Sequence, residues 1–534
     1  MAWFLSLRLK CDFHWAEMFS PVSSWVLHCV KWTTFSHNVF FSHGHQRQLL
    51  RCFWFPLKPS TALFSNSSSC CSDLNPGHSS TPQAQRHSST GEDPDFQLSS
   101  AQVSAILRAN EQSVRFTESD GRGLNTVLGF ESNQLAANTP IEDRRSAAIC
   151  LQTKGAMFGV FDGHCGYACA QTVSERLLYY AAMALMSHRN LAEVESAVEN
   201  LRPVPPLLQW YKHHNDYNYR ESASLYVENL RVFWQELLAC EESLHPEGMG
   251  PWDALDLAFR RLDADISLEA QVPLESDLMR SMALRAAFAG STACVAHVDS
   301  EGIHVANAGD CRAVLGIQED DGSWSALPLS CDHNALNEAE LARVQSQHPD
   351  SEEGTVVEDD RLLGTLMPLR AFGDVRFKWS LELQRSILEN SRDLESLDIY
   401  EYTPPNYLTP PYLEATPELT YHRLSPKDRF LILASDGLWD CLDSEEAVRL
   451  VSEHLMDVHL RGVLSSHMTS PTLDPNSATH LIRHAVGTNE YGEVDPERLA
   501  AMLALPEEVA RMYRDDITAI VVYFNPNLGK NQDD

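Results

Sequence analysis

Two apolar runs in this chain end in the same pair of residues. Phe158-Gly159-Val160-Phe161 leads directly into Asp162-Gly163-His164, and Leu431-Ile432-Leu433-Ala434-Ser435 leads into Asp436-Gly437. Two further acid pairs stand ahead of apolar runs, Asp515-Asp516 before Ile517 and Glu142-Asp143 before Ala147. Carboxylates that gather at strand ends around one space lose hydration and repel one another, which is costly unless a cation neutralises them. Oxygen donors without a His/Cys cluster favour hard ions, Mg²⁺ or Mn²⁺. Where one carboxylate bridges two such ions, a water between them is acidified and aimed at a phosphoryl centre for in-line displacement. Glycine after each aspartate lets the backbone turn sharply and bring its carbonyl close to an ion. The plain reading of any single Asp-Gly is a turn; four acid clusters favour a metal centre.

The elements that must position these acids are short β-rich runs alternating with longer helical stretches. Strands are expected at Ala147–Leu151, Met157–Phe161, Thr292–Val298, Ile303–Ala308, Arg312–Ile317, Arg429–Ala434 and Ile517–Phe524. The connections between the first two runs, and between the three runs from Thr292 to Ile317, are too short for crossover helices, so antiparallel pairing is expected there. Helices fit Ala168–Met186, Asn229–Leu238, Trp252–Ile266 and Glu445–Leu455. An α+β core of antiparallel strands covered by helices follows, and a doubly wound nucleotide-binding sheet does not. No Gly-x-Gly-x-x-Gly or P-loop pattern occurs. The proline-rich run Pro404–Pro411 and the polar stretch Arg461–Ala478 read as loops.

Composition narrows the function classes. The 534 residues hold 41 Lys and Arg against 74 Asp and Glu, a formal charge of −33, which opposes binding to nucleic acid or anionic lipid. No apolar run is long enough for a transmembrane span. The 13 cysteines show no Cys-x-x-Cys pair and no zinc spacing with histidine. Residues 1–91 differ in kind. They carry Arg8, Lys10, Lys31, Arg47, Arg51, Lys58 and Arg86 against Asp12, Glu17 and Asp73, and are rich in serine. That is the composition of a mitochondrial transit peptide ending near Arg86–Ser89, with an ordinary disordered tail as the alternative. Residues 92–534 then form the catalytic domain, with insertions expected near 195–250, 380–415 and 456–500.

Seven motifs occur in order: Glu142-Asp143, Phe161-Asp162-Gly163-His164, Gly290-Ser291-Thr292-Ala293, Gly309-Asp310-Cys311-Arg312, Arg370-Ala371-Phe372-Gly373-Asp374, Ser435-Asp436-Gly437-Leu438-Trp439-Asp440 and Arg514-Asp515-Asp516. As a set they resemble the PPM family (protein phosphatase 2C) of metal-dependent protein serine/threonine phosphatases. The resemblance implies a central antiparallel β-sandwich flanked by helices on both faces, in four layers, with two Mg²⁺ or Mn²⁺ ions and no covalent phosphoenzyme. It implies that Asp162 bridges both ions, that the Gly163 carbonyl serves one, and that Asp436 and Asp515 serve the other. Glu142 and Asp143 would act directly behind them or through water. His164 would be the general acid that protonates the leaving serine oxygen; a turn residue satisfied by a carbonyl is the plain alternative. Asp310 is a candidate for a weaker third ion or for a structural turn. Within the family, Ser132–Leu135, Pro140–Arg145, Tyr402–Tyr407 and Ala510–Asp516 look like the pyruvate dehydrogenase phosphatases. This subgroup implies the mitochondrial matrix and phosphoserine on the pyruvate dehydrogenase decarboxylase component as substrate. It further implies the lipoyl-bearing acetyltransferase core and a regulatory subunit as partners.

Two positions depart from the family pattern. The phosphate-binding arginine four residues before the glutamate is replaced by Asn138, which leaves Asn138 and Arg144 as phosphate-binding candidates, with surface or salt-bridging roles as the alternative for Arg144 and Arg145. Cys165 stands where glycine is usual. His164-Cys165 also resembles the start of a thiol-phosphatase loop, but the arginine such a loop needs six residues on is Gln171. An inert phosphatase-like scaffold that binds phosphoprotein is the rival from another class, and a carboxylate two-metal nuclease is opposed by the acidic charge.

Overall fold

Ile517–Phe524 consists of β-branched, small and aromatic side chains and is buried at every position, as expected of a strand covered on both faces. In the computed structural model, which describes residues 98–116, 126–151, 153, 155–216, 223–240, 247–272, 276–389, 403–463 and 474–526, this run is a central strand of a six-stranded sheet. The leader expected over 1–91 lies outside the described residues.

The first sheet has the order β1 (Gln112–Arg115), β2 (Val127–Leu135), β17 (Ile517–Phe524), β16 (Asp428–Ala434), β10 (Arg312–Gln318), β11 (Trp324–Pro328). The second runs β15 (Glu418–Arg423), β9 (Gly302–Ala308), β8 (Ala293–Val298), β4 (Ala156–Phe161), β3 (Arg144–Cys150), β6 (Leu208–Trp210). Their neighbours pair antiparallel throughout. A three-stranded patch joins β14 (Phe372–Gly373), β7 (Gly290–Ser291) and β5 (Gly163–His164), and β12 (Val357–Glu358) with β13 (Arg361–Leu362) makes a small hairpin.

The two large sheets pack face to face over Phe130, Phe158, Val160, Leu431, Leu433, Ile520 and Val522, each worth about 1.5–3 kcal/mol of burial for side chains of this size. The outer face of the second sheet is covered by α2 (Ala168–Ala184), α3 (His188–Glu199), α4 (Ala223–Ala239), α5 (Pro251–Gln271) and α6 (Asp277–Phe288). That of the first is covered by α1 (Ser100–Leu107), α9 (Asp436–Trp439), α10 (Ser444–Val463), α11 (Ser477–Gly487) and α12 (Pro496–Leu503). This is the four-layer α+β sandwich the sequence implied. Helices α7 (Glu338–Ser346) and α8 (Leu381–Glu389) lie between β11 and β15, and the short α13 (Glu507–Ala510) precedes β17. Between α2 and α5, Arg176 holds Glu269 through two hydrogen bonds of 2.9 and 2.6 Å, and Tyr180 donates to Asp265 at 2.6 Å. Among the described residues no helix is long and apolar enough to cross a membrane, and the described cysteines are free thiols.

Two expectations need correction. Strands β9 and β10 do not pair: the link Gly309-Asp310-Cys311, with Gly309 at φ +118°, carries the chain from the second sheet to the first. The stretch 461–478 is helical at both ends, since α10 runs to Val463 and α11 begins at Ser477 under an Asn476 cap on Thr479 N; 464–473 lie outside the described residues. Leu481 and Ile482 of α11 are buried in the core.

Candidate metal centre

Antiparallel pairing brings the acid clusters to one end of the sandwich. Asp162 follows the end of β4, Asp143 precedes β3, Asp436 follows β16 and Asp515 precedes β17. Asp310 sits on the link between the sheets. Ser435 ties the parts together: its Oγ donates to Asp143 Oδ2 at 2.8 Å and accepts from Thr518 N at 3.0 Å. Both Asp-Gly glycines answer a close approach. A Cβ at Gly163 would stand 2.5 Å from the Glu142 carbonyl oxygen, and one at Gly437 would run into the Asp516 carbonyl.

Electrostatically, Asp436 is the hub, since it raises the pKa of Asp162, Asp143, Asp310 and Asp515 alike. Burial, then Asp436, holds Asp162 well above the usual carboxylate range; burial, then Asp516, does the same for Asp143, and burial, then Asp436, for Asp310. Asp515 is pushed up to about 6 by burial and then by Asp436, although Arg511 reaches it at 2.8 Å. Asp143 Oδ1 and Asp436 Oδ1 are enclosed without a hydrogen-bond partner. Mutually repelling carboxylates with orphaned buried oxygens are what a pair of hard cations would satisfy. The donor set therefore fits Mg²⁺ or Mn²⁺.

A pH dependence follows. An acid whose pKa is raised by folding contributes stability that is fully present below its unfolded pKa and is lost as pH rises through its folded pKa. For Asp515 that window runs from 3.8 to about 6. Through Asp515, cations that relieve the repulsion therefore stabilise little near pH 5 and increasingly as pH rises through about 6. The measurement is the difference in denaturant midpoint with and without Mg²⁺. Histidines such as His484, lowered to about 4 by burial and then His480, act in both arms and cancel. A Mg²⁺ increment that shrinks as pH rises would contradict the assignment.

The small patch β5–β7–β14 explains why three of the motifs exist. His164 and Gly373 flank Gly290 in register, and above that glycine His164 Nε2 meets Asp374 Oδ2 at 2.5 Å. A Cβ at position 290 would collide with both atoms. Burial works against protonation of His164, but Asp374, with smaller help from Asp310 and Glu142, brings its pKa above the ordinary value. Gly290→Ala is expected to lower kcat about tenfold or more by displacing this pair, with the Mg²⁺ dependence unchanged, as steady-state kinetics over a Mg²⁺ series will show.

The remaining predicted residues fall as follows. Glu142 Oε1 accepts from Gly166 N at 2.8 Å, and its pKa is raised, chiefly by burial. Asn138 Nδ2 donates to Asp516 Oδ2 at 3.0 Å. Arg144 donates from Nε to Gln171 Oε1 at 2.5 Å and from Nη1 to the carbonyls of Ile141 and Asp143, each at 2.7 Å. These bonds anchor the 137–144 segment. Arg145 is buried, with Nε 3.7 Å from Asp216. Cys165 lies at φ +56°, the region that favours glycine. Its thiol is pushed up to about 11 by desolvation and then by Asp374, so it is no thiolate nucleophile. Arg312 pairs with Asp332 at 2.6 Å over the Trp439 ring, and Arg370 grips Glu340 at 2.8 and 2.7 Å; both motif arginines brace the frame. Sequence reasoning missed the roles of Asp374 and Asp516. Asp516 accepts from the backbone of Ala137, Asn138 and Glu142 at 2.5–2.8 Å and pins the loop that presents Asp143. The doubled acid Asp515-Asp516 was the available signal.

Comparison with known proteins places the chain in a family. The protein phosphatase 2C family profile matches residues 231–486. The chain is 52% identical to human "[Pyruvate dehydrogenase [acetyl-transferring]]-phosphatase 2, mitochondrial" over 95% of its own length and 98% of that protein's. It is 53% identical to the human phosphatase 1 of the same name, over 84% of this chain and 86% of that one. A protein phosphatase 2C homologue of Schizosaccharomyces pombe is 32% identical over 75% of this chain and 81% of its own. With the identity running nearly end to end and the acids gathered at one rim of the sandwich, the chain belongs to the protein phosphatase 2C family.

Proposed function

We propose that this protein is a mitochondrial metal-dependent protein serine/threonine phosphatase that hydrolyses phosphoserine on the decarboxylase component of the pyruvate dehydrogenase complex, reactivating it in the matrix. The observation that carries the chemistry is the Asp436-centred set of buried carboxylates beside the His164–Asp374 pair; the names of the 52–53% identical relatives support the substrate. Asp162 and the Gly163 carbonyl would hold one cation, and Asp162 with Asp436 and Asp515 the other, with Asp143 and Glu142 behind them. Bound Mg²⁺ or Mn²⁺ supplies Lewis acidity toward water and the phosphoryl oxygens. The chain's own residues do the rest. His164, kept protonated by Asp374, gives its proton to the departing serine oxygen. Ser435 and Asp516 hold the acid-bearing loops in place, so that little reorganisation accompanies reaction. The lipoyl-bearing acetyltransferase core and a regulatory subunit are the expected partners.

The test is phosphate release by residues 92–534 from the phosphorylated decarboxylase component, alone and in the assembled complex, against unrelated phosphoproteins. Chelator-sensitive release that favours the dehydrogenase substrate is expected. Release that is absent or indifferent to chelator would favour an inert phosphoprotein-binding scaffold.

A further inference from the structure

At the far end of the second sheet a different donor set comes together. His297 on β8 and His304 on β9 stand directly opposite each other in the antiparallel register. Their neighbours Val295 and Ala306 face the helix-covered side of the sheet, and side chains two apart share a face. Asp299, two residues beyond His297, joins them. One donor atom from each of the three lies within 4.8 Å of the other two. His304 lies four residues before the rim end of β9 at Ala308, about 13 Å of extended strand, so this cluster is remote from the acid rim.

The cluster is built from three sides. Asp299 Oδ1 accepts from Glu301 N at 2.8 Å and Gly302 N at 3.0 Å, which orients the carboxylate across the hairpin turn. The Tyr421 ring lies against His304 with centroids 4.6 Å apart. Gly155, at φ +129°, lets the backbone lie against the His297 imidazole, where a Cβ would collide with the ring. His304 Nδ1 is enclosed without a hydrogen-bond partner. His297 is buried, while Asp299 and His304 are half-buried and give an ion a way in.

The geometry points to a second, chemically distinct metal site here, in which His297, Asp299 and His304 bind one divalent transition ion, Zn²⁺, with a water in the fourth position. Two imidazoles and one carboxylate suit a borderline ion, whereas the all-oxygen rim suits Mg²⁺ or Mn²⁺. Ligand bonds of about 2.0–2.2 Å place tetrahedral donors about 3.4 Å apart. The three donors thus close by at most about 1.4 Å on binding, a movement within rotamer adjustment. The ion staples the β8–β9 turn.

Zn²⁺ is titrated into the full chain against a chromophoric chelator with Mg²⁺ saturating, so that the oxygen site is occupied. The wild type is expected to take up one Zn²⁺ that His304→Ala and Asp299→Asn bind at least about tenfold more weakly. Co²⁺ is expected to give a tetrahedral visible band in the wild type that both variants lack. Zn²⁺ should raise the melting midpoint of the wild type alone. Mg²⁺-dependent hydrolysis of p-nitrophenyl phosphate, unchanged in the variants, reports that they are folded; if His304→Ala does not fold, Asp299→Asn carries the comparison. Equal Zn²⁺ stoichiometry and affinity in wild type and folded variant, or no Zn²⁺ uptake by the wild type, overturns the site.

Discussion

Asp436→Asn removes phosphate release by at least about a hundredfold while making the chelator-treated protein more resistant to heat. The two effects share one cause. Asp436 faces Asp162, Asp143, Asp310 and Asp515, and raises the pKa of each. An amide of the same shape abolishes that repulsion in the cation-free protein and, by the same change, takes away a charged ion ligand. Melting with and without Mg²⁺ separates the contributions: the variant starts higher and gains little from the ion, whereas the wild type starts lower and gains much. A variant that kept near-normal turnover at saturating Mn²⁺ would show that Asp436 is not a ligand.

His164→Asn is expected to cost about a hundredfold or more in kcat toward a phosphoserine peptide. Toward p-nitrophenyl phosphate the cost is far smaller, because a nitrophenolate departs without needing a proton. Asp374→Asn tests the pair from the other side. The Asp374 carboxylate opposes the effect of burial and supports the imidazolium of His164, so its loss lowers the histidine pKa and moves the alkaline limb of the kcat profile to lower pH. A merely structural role for Asp374 would lower the rate without moving that limb. Equal losses on both substrates for His164→Asn would remove it from proton transfer.

The acids of the rim were legible in the sequence because each stands at the boundary of an apolar run, and antiparallel strands return their ends to the same place. The seven strands that were read lie within a few residues of the observed ones, because continuously apolar segments such as Ile517–Phe524 leave little choice. Strands β2, β11 and β15 and helices α3 and α6 were not read, and α4 and α10 extend six and eight residues beyond the expected ends. The partner of His164 was not legible. Asp374 lies 210 residues away and enters through a two-residue strand, too short for any periodicity. Nor does nearness along the chain say where a donor goes: Arg144 adjoins Asp143 yet turns toward Gln171 and two carbonyls. The loop reading of 461–478, prompted by Pro471 and Pro475, ran over the end of α10 and the first two residues of α11, and the rest of α11 was not assigned. The crossing at Gly309–Cys311 was hidden because a short link between strands serves equally for a hairpin and for a step between sheets.

That crossing has a mechanical consequence. Asp143 and Asp162 hang from one leaf of the sandwich, Asp436 and Asp515 from the other, and Asp310 from the hinge that joins them. Like charges on facing leaves oppose their closure at the edge that carries them. When divalent ions are withdrawn, that edge breathes first, and the amide protons exchanged between Ser435 and Thr518 lose their shelter before those deeper in the leaves. The residues proposed to perform the chemistry would then also serve as a gauge of how much magnesium the compartment holds.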